Sequence, residues 1–258
     1  MESISKNAIR TLPISIVIPT KDEEKWLPRL LKSIKDQKFQ PKEVIVADIS
    51  TDDTPQIARE FGAKVVKGGK LAIARNNGAR ASNCEVICFI DADCMLPHED
   101  FLEEVYDAFK EAKVDIASTL FRLDDISSRM LVPVFIFNWY CNFKRVSAIM
   151  KKPFIESGFF MICTRDAFDT IGGFHALENG MPEDLFFSLT GIKKGLSYKV
   201  LKIKIVTSGR RYHHFIDAAK ALIAQAIAGI SMRSNLYDNE KMSKLVGKMY
   251  GQMGGGEE

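Results

Sequence analysis

The chain has 258 residues, 46% apolar and 27% charged, with a net charge of +3 at pH 7. That length buries a sizeable core, and the composition is that of a globular protein. The small charge argues against a nucleic-acid-binding surface, which carries a clustered basic excess. The five cysteines are odd in number and form no Cys-x-x-Cys pair, which points away from a disulfide framework or a zinc knuckle.

Met1 to Leu12 is polar and lacks the apolar core of a signal peptide. No uncharged apolar run anywhere reaches the roughly 18 residues that span a bilayer. The expectation is a cytoplasmic protein whose only membrane contact is peripheral, at the inner face. Ile14 to Ile18 (ISIVI), closed by Pro19, reads as a buried strand. Trp26, Leu27, Leu30, Leu31 and Ile34 repeat at helical spacing within Glu24 to Gln37. Val44 to Ala47 is a second strand ending at Asp48. Thr54 to Phe61 reads as a helix capped by Thr54 with Pro55 at its first position. Lys64 to Val66 is a short strand, Ala72 to Ala81 a helix, and Val86 to Ile90 (VICFI) a buried strand.

The second half is less regular. Strands are expected over Val114 to Leu120, Phe159 to Cys163 and Tyr198 to Val206. Helices are expected over Arg165 to Ile171, Glu183 to Gly195 and Ile216 to Met232. The βαβα alternation predicts an α/β fold, a mostly parallel, doubly wound sheet with helices on both faces. Ligands of such sheets lie at the carboxyl ends of the strands, so the polar residues there carry the functional expectation.

Asp91 and Asp93 follow VICFI. In an extended segment, residues two apart point to one side, and two hard carboxylates suit Mg2+ or Mn2+ completed by a diphosphate. An Asp-x-Asp arises about once by chance in a chain of this size, so the strand that delivers it matters more than the tripeptide. Arg75 lies on the helix upstream. It reads either as a phosphate partner or as a surface arginine. Asp48, with Ser50, Thr51 and Asp52, can accept a hydrogen bond from a base or a ribose, or can form a turn and a helix cap. Glu183 and Asp184 open a helix, as dipole partners or with one of them as a general base. After the last strand, Arg210 and Arg211 suit a leaving diphosphate and His213 or His214 a metal. A basic surface loop is the plain alternative.

Together the segments ISIVIPTKDEEKWLPRLLKSI, EVIVADISTDDTPQIA, LAIARNNGARAS, CFIDADCMLP, GFFMICTRDAFDTIGGF and PEDLFFSLTGIKKG resemble the inverting nucleotide-sugar glycosyltransferases of glycosyltransferase family 2, which have the GT-A fold. The resemblance runs from about Pro13 to Arg211. It implies a nucleotide-binding loop at Pro19, Thr20, Asp22 and Glu23, base recognition by Asp48, and Arg75 near the diphosphate. It implies a divalent metal at Asp91 and Asp93, with Asp93 the direct ligand, and Asp184 as catalytic base. Arg211 and His213 are the residues taken from the last loop, for the diphosphate and the metal. The loop after Asp48 is one residue shorter than the family's common form and lacks its glycine. Lys21 and Asp22 stand where an aromatic residue and Asn are frequent.

The implied organisation is one GT-A domain over residues 12–210, with 12–98 binding the nucleotide-sugar and 99–210 the acceptor. A helical extension, 211–258, ends in disordered residues. The donor is a UDP- or GDP-sugar, and the acceptor a glycan or a lipid-linked molecule. Leu131 to Tyr140 and the stripe from Ala219 to Ile230 are apolar and lie near lysines and arginines. They suit packing on the domain, a homodimer contact, or a membrane interface. Two other classes are weighed against the transferase. A sugar nucleotidyltransferase needs a glycine-rich basic loop where Thr20 to Glu24 is acidic. A non-catalytic binding module has no use for Asp91, Asp93 and Asp184 together.

Overall fold

The five residues of Val86–Ile90 have no polar side to offer water, and all five are buried. Such a strand belongs inside a sheet covered on both faces. The computed structural model, which describes residues 10–124, 158–175 and 183–210, has it there. The strands are β1 (Arg10–Thr20), β2 (Phe39–Asp48), β3 (Lys64–Lys67), β4 (Val86–Ile90), β5 (Cys94–Met95), β6 (Ile116–Asp124), β7 (Phe160–Thr164) and β8 (Tyr198–Ser208). They form one sheet in the order β3-β2-β1-β4-β7-β6-β8-β5. The helices are α1 (Leu27–Lys35), α2 (Thr54–Glu60), α3 (Leu71–Ala81), α4 (Phe101–Ala112), α5 (Arg165–Ile171) and α6 (Glu183–Lys193).

Alternation along the central strands sorts the core into two layers. Ile14, Ile16 and Ile18 of β1 and Val86, Cys88 and Ile90 of β4 face the side covered by α1, α2 and α4. Val17 of β1 and Ile87 and Phe89 of β4 face the side covered by α3, α5 and α6. The double winding predicted from the sequence is therefore present.

The parallel arrangement holds for β3, β2, β1 and β4. Beyond β4 the sheet is mixed: β7 is antiparallel to both β4 and β6, β8 is parallel to β6, and β5 is antiparallel to β8. A buried apolar run such as that of β7 reports its burial and not its direction, which is why the sequence does not reveal the reversal.

Two elements lie where the sequence reading assigns none, the two-residue β5 and helix α4. The α4 stripe is Phe101, Leu102, Val105 and Phe109, all buried. Thr54 is not the cap expected of it. It is the first residue of α2. The N-cap position is Asp53, whose side chain makes no capping bond, and the Thr54 N–H donates to Asp52 Oδ1 at 3.0 Å. Thr164 caps α5, accepting from Ala167 N. Cys84, Cys88, Cys94 and Cys163 are buried free thiols. No helix among the described residues is long and apolar enough to cross a membrane. The apolar run 131–140, the expected helix 216–232 and the C-terminal residues lie outside the described residues.

Helix α3 sits close on β1 because residue 78 is glycine: a Cβ there would run into Val17 Cγ1. This contact keeps Arg75, one turn earlier, against the sheet edge. Gly78→Ala is expected to lower stability by about 1–3 kcal/mol through overpacking. In urea denaturation, adding Val17→Ala should cost less in the Gly78→Ala background than in the native one.

Candidate functional site

The carboxyl ends of β1 and β2 meet in register, Pro19 opposite Ala47 and Thr20 opposite Asp48. Asp48 Oδ1 accepts from Thr20 Oγ1 at 2.7 Å and Ser50 Oγ at 2.6 Å, and Oδ2 accepts from Ser50 N at 3.2 Å. Asp22 lies in the left-handed region, with φ of 54°. Asp and Asn tolerate that conformation better than other side chains with a Cβ. The turn lets its N–H reach Ser50 Oγ at 2.7 Å and its carboxylate accept from Thr51 N at 2.8 Å. Glu23 N donates to Thr54 Oγ1 at 2.8 Å, and Glu24 N to Asp52 Oδ2 at 3.2 Å. The two loops are thus laced together by side chains. Asp52 serves this lacing and the start of α2.

At the end of β4 the chain does not run on as an extended strand. Cys94 N donates to Asp91 O at 3.0 Å, so Asp91-Ala92-Asp93 forms a turn. The extended geometry expected of these residues is therefore absent, and each carboxylate engages its own arginine. Asp91 Oδ1 accepts from Arg75 Nη2 at 2.7 Å. Arg75 is no surface arginine: it is 2% exposed. Its Nη1 meets the carboxylate of Glu183, its Nη2 also donates to Gly158 O at 3.0 Å, and its guanidinium lies 5.4 Å from the centre of the Phe174 ring. Burial alone disfavours the charge, but Glu183, Asp91 and Asp184 outweigh it and hold the pKa above the ordinary arginine value.

Glu183 and Asp184 open α6. Burial pushes the Glu183 carboxyl up to about 7, with Arg75 opposing and Asp184 adding to the rise. Asp184 is 8% exposed, and its Oδ1 accepts from Leu185 N at 2.6 Å. Gly158, with φ of +106°, comes so close that a Cβ on it would lie 2.9 Å from Asp184 Oδ2. Gly158 therefore touches both Arg75 and Asp184, and the acids of α6 share one neighbourhood with Asp91.

Asp93 is 3% exposed, and its Oδ2 accepts from Arg210 Nε at 3.0 Å. The other edge of Arg210 holds the Glu23 carboxylate, at 2.9 Å from Nη1 and 2.5 Å from Nη2. The Arg210 guanidinium lies 5.3 Å from the Trp26 ring centre. Arg210 follows β8, whose end is pinned by Ser208 N donating to Asp93 O at 3.1 Å. Arg210 lies in the site, and Arg211, His213 and His214 lie outside the described residues.

Among the described residues no three His, Cys, Asp or Glu side chains gather closely enough to hold a metal. Two carboxylates on a turn nonetheless fit Mg2+ or Mn2+, which are bound through one or two carboxylates with phosphate oxygens and water completing the shell.

The profile of Glycosyl transferase family 2 matches residues 15–172. The 4,4'-diaponeurosporenoate glycosyltransferase of Staphylococcus haemolyticus is 36% identical over 108 residues, which are 38% of this chain and 29% of that protein. Its counterpart from Staphylococcus aureus is 31% identical over 105 residues, 38% of this chain and 28% of that protein. The chain thus spans less than a third of the length of these curated relatives. Among solved structures, a mannosyltransferase from Pyrobaculum calidifontis in complex with GDP-Man and Mn2+ superposes with a TM-score of 0.65 at 20% identity, covering 92% of this chain and 73% of that one. Glucosyl-3-phosphoglycerate synthase from Mycobacterium tuberculosis, with Mn2+, UDP and phosphoglyceric acid, superposes with a TM-score of 0.57 at 17% identity, covering 83% and 77%. These likenesses establish the GT-A fold.

Arg75→Met leaves the Asp91 and Glu183 carboxylates buried without their cation. It is expected to cost about 3–5 kcal/mol at pH 7, read as a fall in the urea midpoint. In that variant Glu183 loses the opposing charge of Arg75 and holds its proton to higher pH than when unfolded, so the deficit should shrink as the pH falls toward 5. In the native chain the raised Glu183 binds its proton more tightly folded than unfolded. Its contribution to stability is therefore lost as pH rises from about 4.5 to about 7. Glu183→Gln should flatten the thermal-stability profile across that window.

Proposed function

The chain belongs to glycosyl transferase family 2, and from that premise we propose that it moves a sugar from a UDP- or GDP-sugar to an acceptor hydroxyl, with inversion of the anomeric carbon. The observation that carries this reading is the bridge made by Arg75. It joins Asp91, at the end of β4, to Glu183, at the start of α6, with Asp184 beside the same Gly158 that Arg75 contacts. A carboxylate for proton removal and a carboxylate for metal binding then belong to one edge of the sheet. The solved relatives bound to GDP-Man with Mn2+, or to UDP with Mn2+, support a nucleotide donor with a divalent ion.

In this reading Pro19, Thr20, Asp22 and Glu23 form the loop under the nucleotide. Asp48, fixed by Thr20 and Ser50, accepts a hydrogen bond from the base or the ribose. Asp93 and Asp91 hold Mn2+ or Mg2+, with His213 as a further ligand. Bound there, the ion supplies Lewis-acid stabilisation of the charge that grows on the leaving diphosphate. Arg211 adds positive charge toward the same oxygens. Arg75 acts as a positioning residue, holding Asp91 and the first turn of α6 together.

Asp184 takes the proton from the acceptor hydroxyl. The acceptor oxygen bonds to the anomeric carbon from the face opposite the diphosphate, the carbon–oxygen bond to the diphosphate breaks, and its electron pair leaves with the phosphate. One displacement of this kind inverts the centre. The acceptor is assigned as a glycan or lipid-linked hydroxyl. The Staphylococcus relatives are named for 4,4'-diaponeurosporenoate, which makes that compound a first acceptor to try.

Asp184→Asn is expected to lower kcat by about 10²–10⁴-fold while nucleoside diphosphate still binds with Mn2+ in calorimetry. Asp93→Ala should lose both transfer and the metal-dependent part of that binding. Transfer by Asp184→Asn at the native rate removes the base assignment. Silence of the native chain in a thermal-shift panel of nucleoside diphosphates and their sugars, with and without metal, removes the reading as a whole.

A further inference from the structure

Two arginines stand on the two carboxylates of the Asp91-Ala92-Asp93 turn, and they are held differently. Arg75 is buried, and its Nη groups are held by Asp91, Glu183 and the Gly158 carbonyl. Arg210 is half-buried and meets Asp93 through Nε, while its two Nη groups rest on Glu23 beside the Trp26 ring. We propose that Arg210 is an exchangeable counter-ion: it neutralises Asp93 while no divalent cation is bound, and transfers its guanidinium to the donor's diphosphate when a cation takes Asp93. The inference rests on the reading of Asp93 as a metal ligand.

A carboxylate as buried as Asp93 needs a positive partner. Arg210 provides one, at 3.0 Å. A divalent cation at the same oxygen satisfies the same need, and two cations a few ångströms apart repel in a site of low dielectric constant. Arg210 must then give up Asp93. Its partial exposure leaves it a route, which Arg75 lacks. The main chain need not follow, because Ser208 N is bonded to Asp93 O and Arg210 N to Ser208 Oγ, both at 3.1 Å. The exchange is thus a rotation of one side chain. A planar guanidinium matches paired phosphate oxygens through two parallel hydrogen bonds, so the departing arginine has a destination in the same site. Glu23 and the Trp26 face form the seat it occupies before the donor arrives.

The seat supplies its own probe, since Trp26 and Trp139 are the two tryptophans of the chain. In a Trp139→Phe background, Mn2+ without nucleotide is titrated and followed by Trp26 emission and by the electron paramagnetic resonance signal of free Mn2+. Mn2+ should change Trp26 emission when Arg210 is present and not in Arg210→Ala. Arg210→Ala should bind Mn2+ alone roughly tenfold more tightly, as expected when a competitor that fills the site nine-tenths of the time is removed. The same variant should bind UDP or GDP, each assayed with saturating Mn2+, more weakly than the background. Arg210→Lys keeps the charge and loses the fork. It should hold Mn2+ affinity near that of the background and share the weakened nucleotide binding, and it serves if the alanine variant does not fold by circular dichroism. Opposite signs for metal and nucleotide are the signature. An Arg210→Ala chain that binds Mn2+ no more tightly, while Asp93→Asn loses Mn2+, overturns the exchange alone. Unchanged Mn2+ binding in Asp93→Asn overturns both the exchange and the assignment of Asp93 as a ligand.

Discussion

A guanidinium with almost no access to water must be surrounded by negative charge, and Arg75 is one. Its partners come from the end of β4, from residue 158 and from the first turn of α6, elements distant in sequence. Each of those carboxylates would be costly to bury alone, and together they would repel. Arg75 turns the repulsion into a joint. The glycine contact of α3 with β1 keeps the cation at the required depth, and Gly158 leaves room for Asp184 where any side chain would press on it. The sheet edge is therefore organised by charge as much as by apolar packing.

The second arginine completes an asymmetric pair. Asp91 is bound to a cation sealed in the interior, and Asp93 to one at the rim that also serves Glu23 and Trp26. The two acids look alike in sequence, yet the fold gives one a buried charge partner and the other a half-buried one.

Most of the first half of the fold is legible in the sequence because its strands are short, apolar and β-branched, and the polar residues after them mark the edge at once. Asp48, Asp91 and Asp93 are recognisable on that basis. Arg75 is singled out there as a phosphate partner or a surface arginine, but its burial is not legible, because its partner Glu183 lies 108 positions away. The pairing of Glu183 with that arginine is equally hidden, since two acids at a helix start are also explained by the helix dipole. The turn at Asp91 depends on a single backbone bond to Cys94, which no spacing rule foresees. The antiparallel entry of β7 escapes for a different reason: its residues report burial, and direction is fixed by the path of the chain.

The hydroxyls around Asp48 also limit what can be read there. A carboxylate oxygen has about two lone pairs to offer. Oδ1 spends both on Thr20 and Ser50, and Oδ2 spends one on the Ser50 amide. A molecule lying against this side chain finds room for a single further N–H or O–H. A heterocycle presenting two adjacent donors in a fork would first have to evict one of the protein's own hydroxyls.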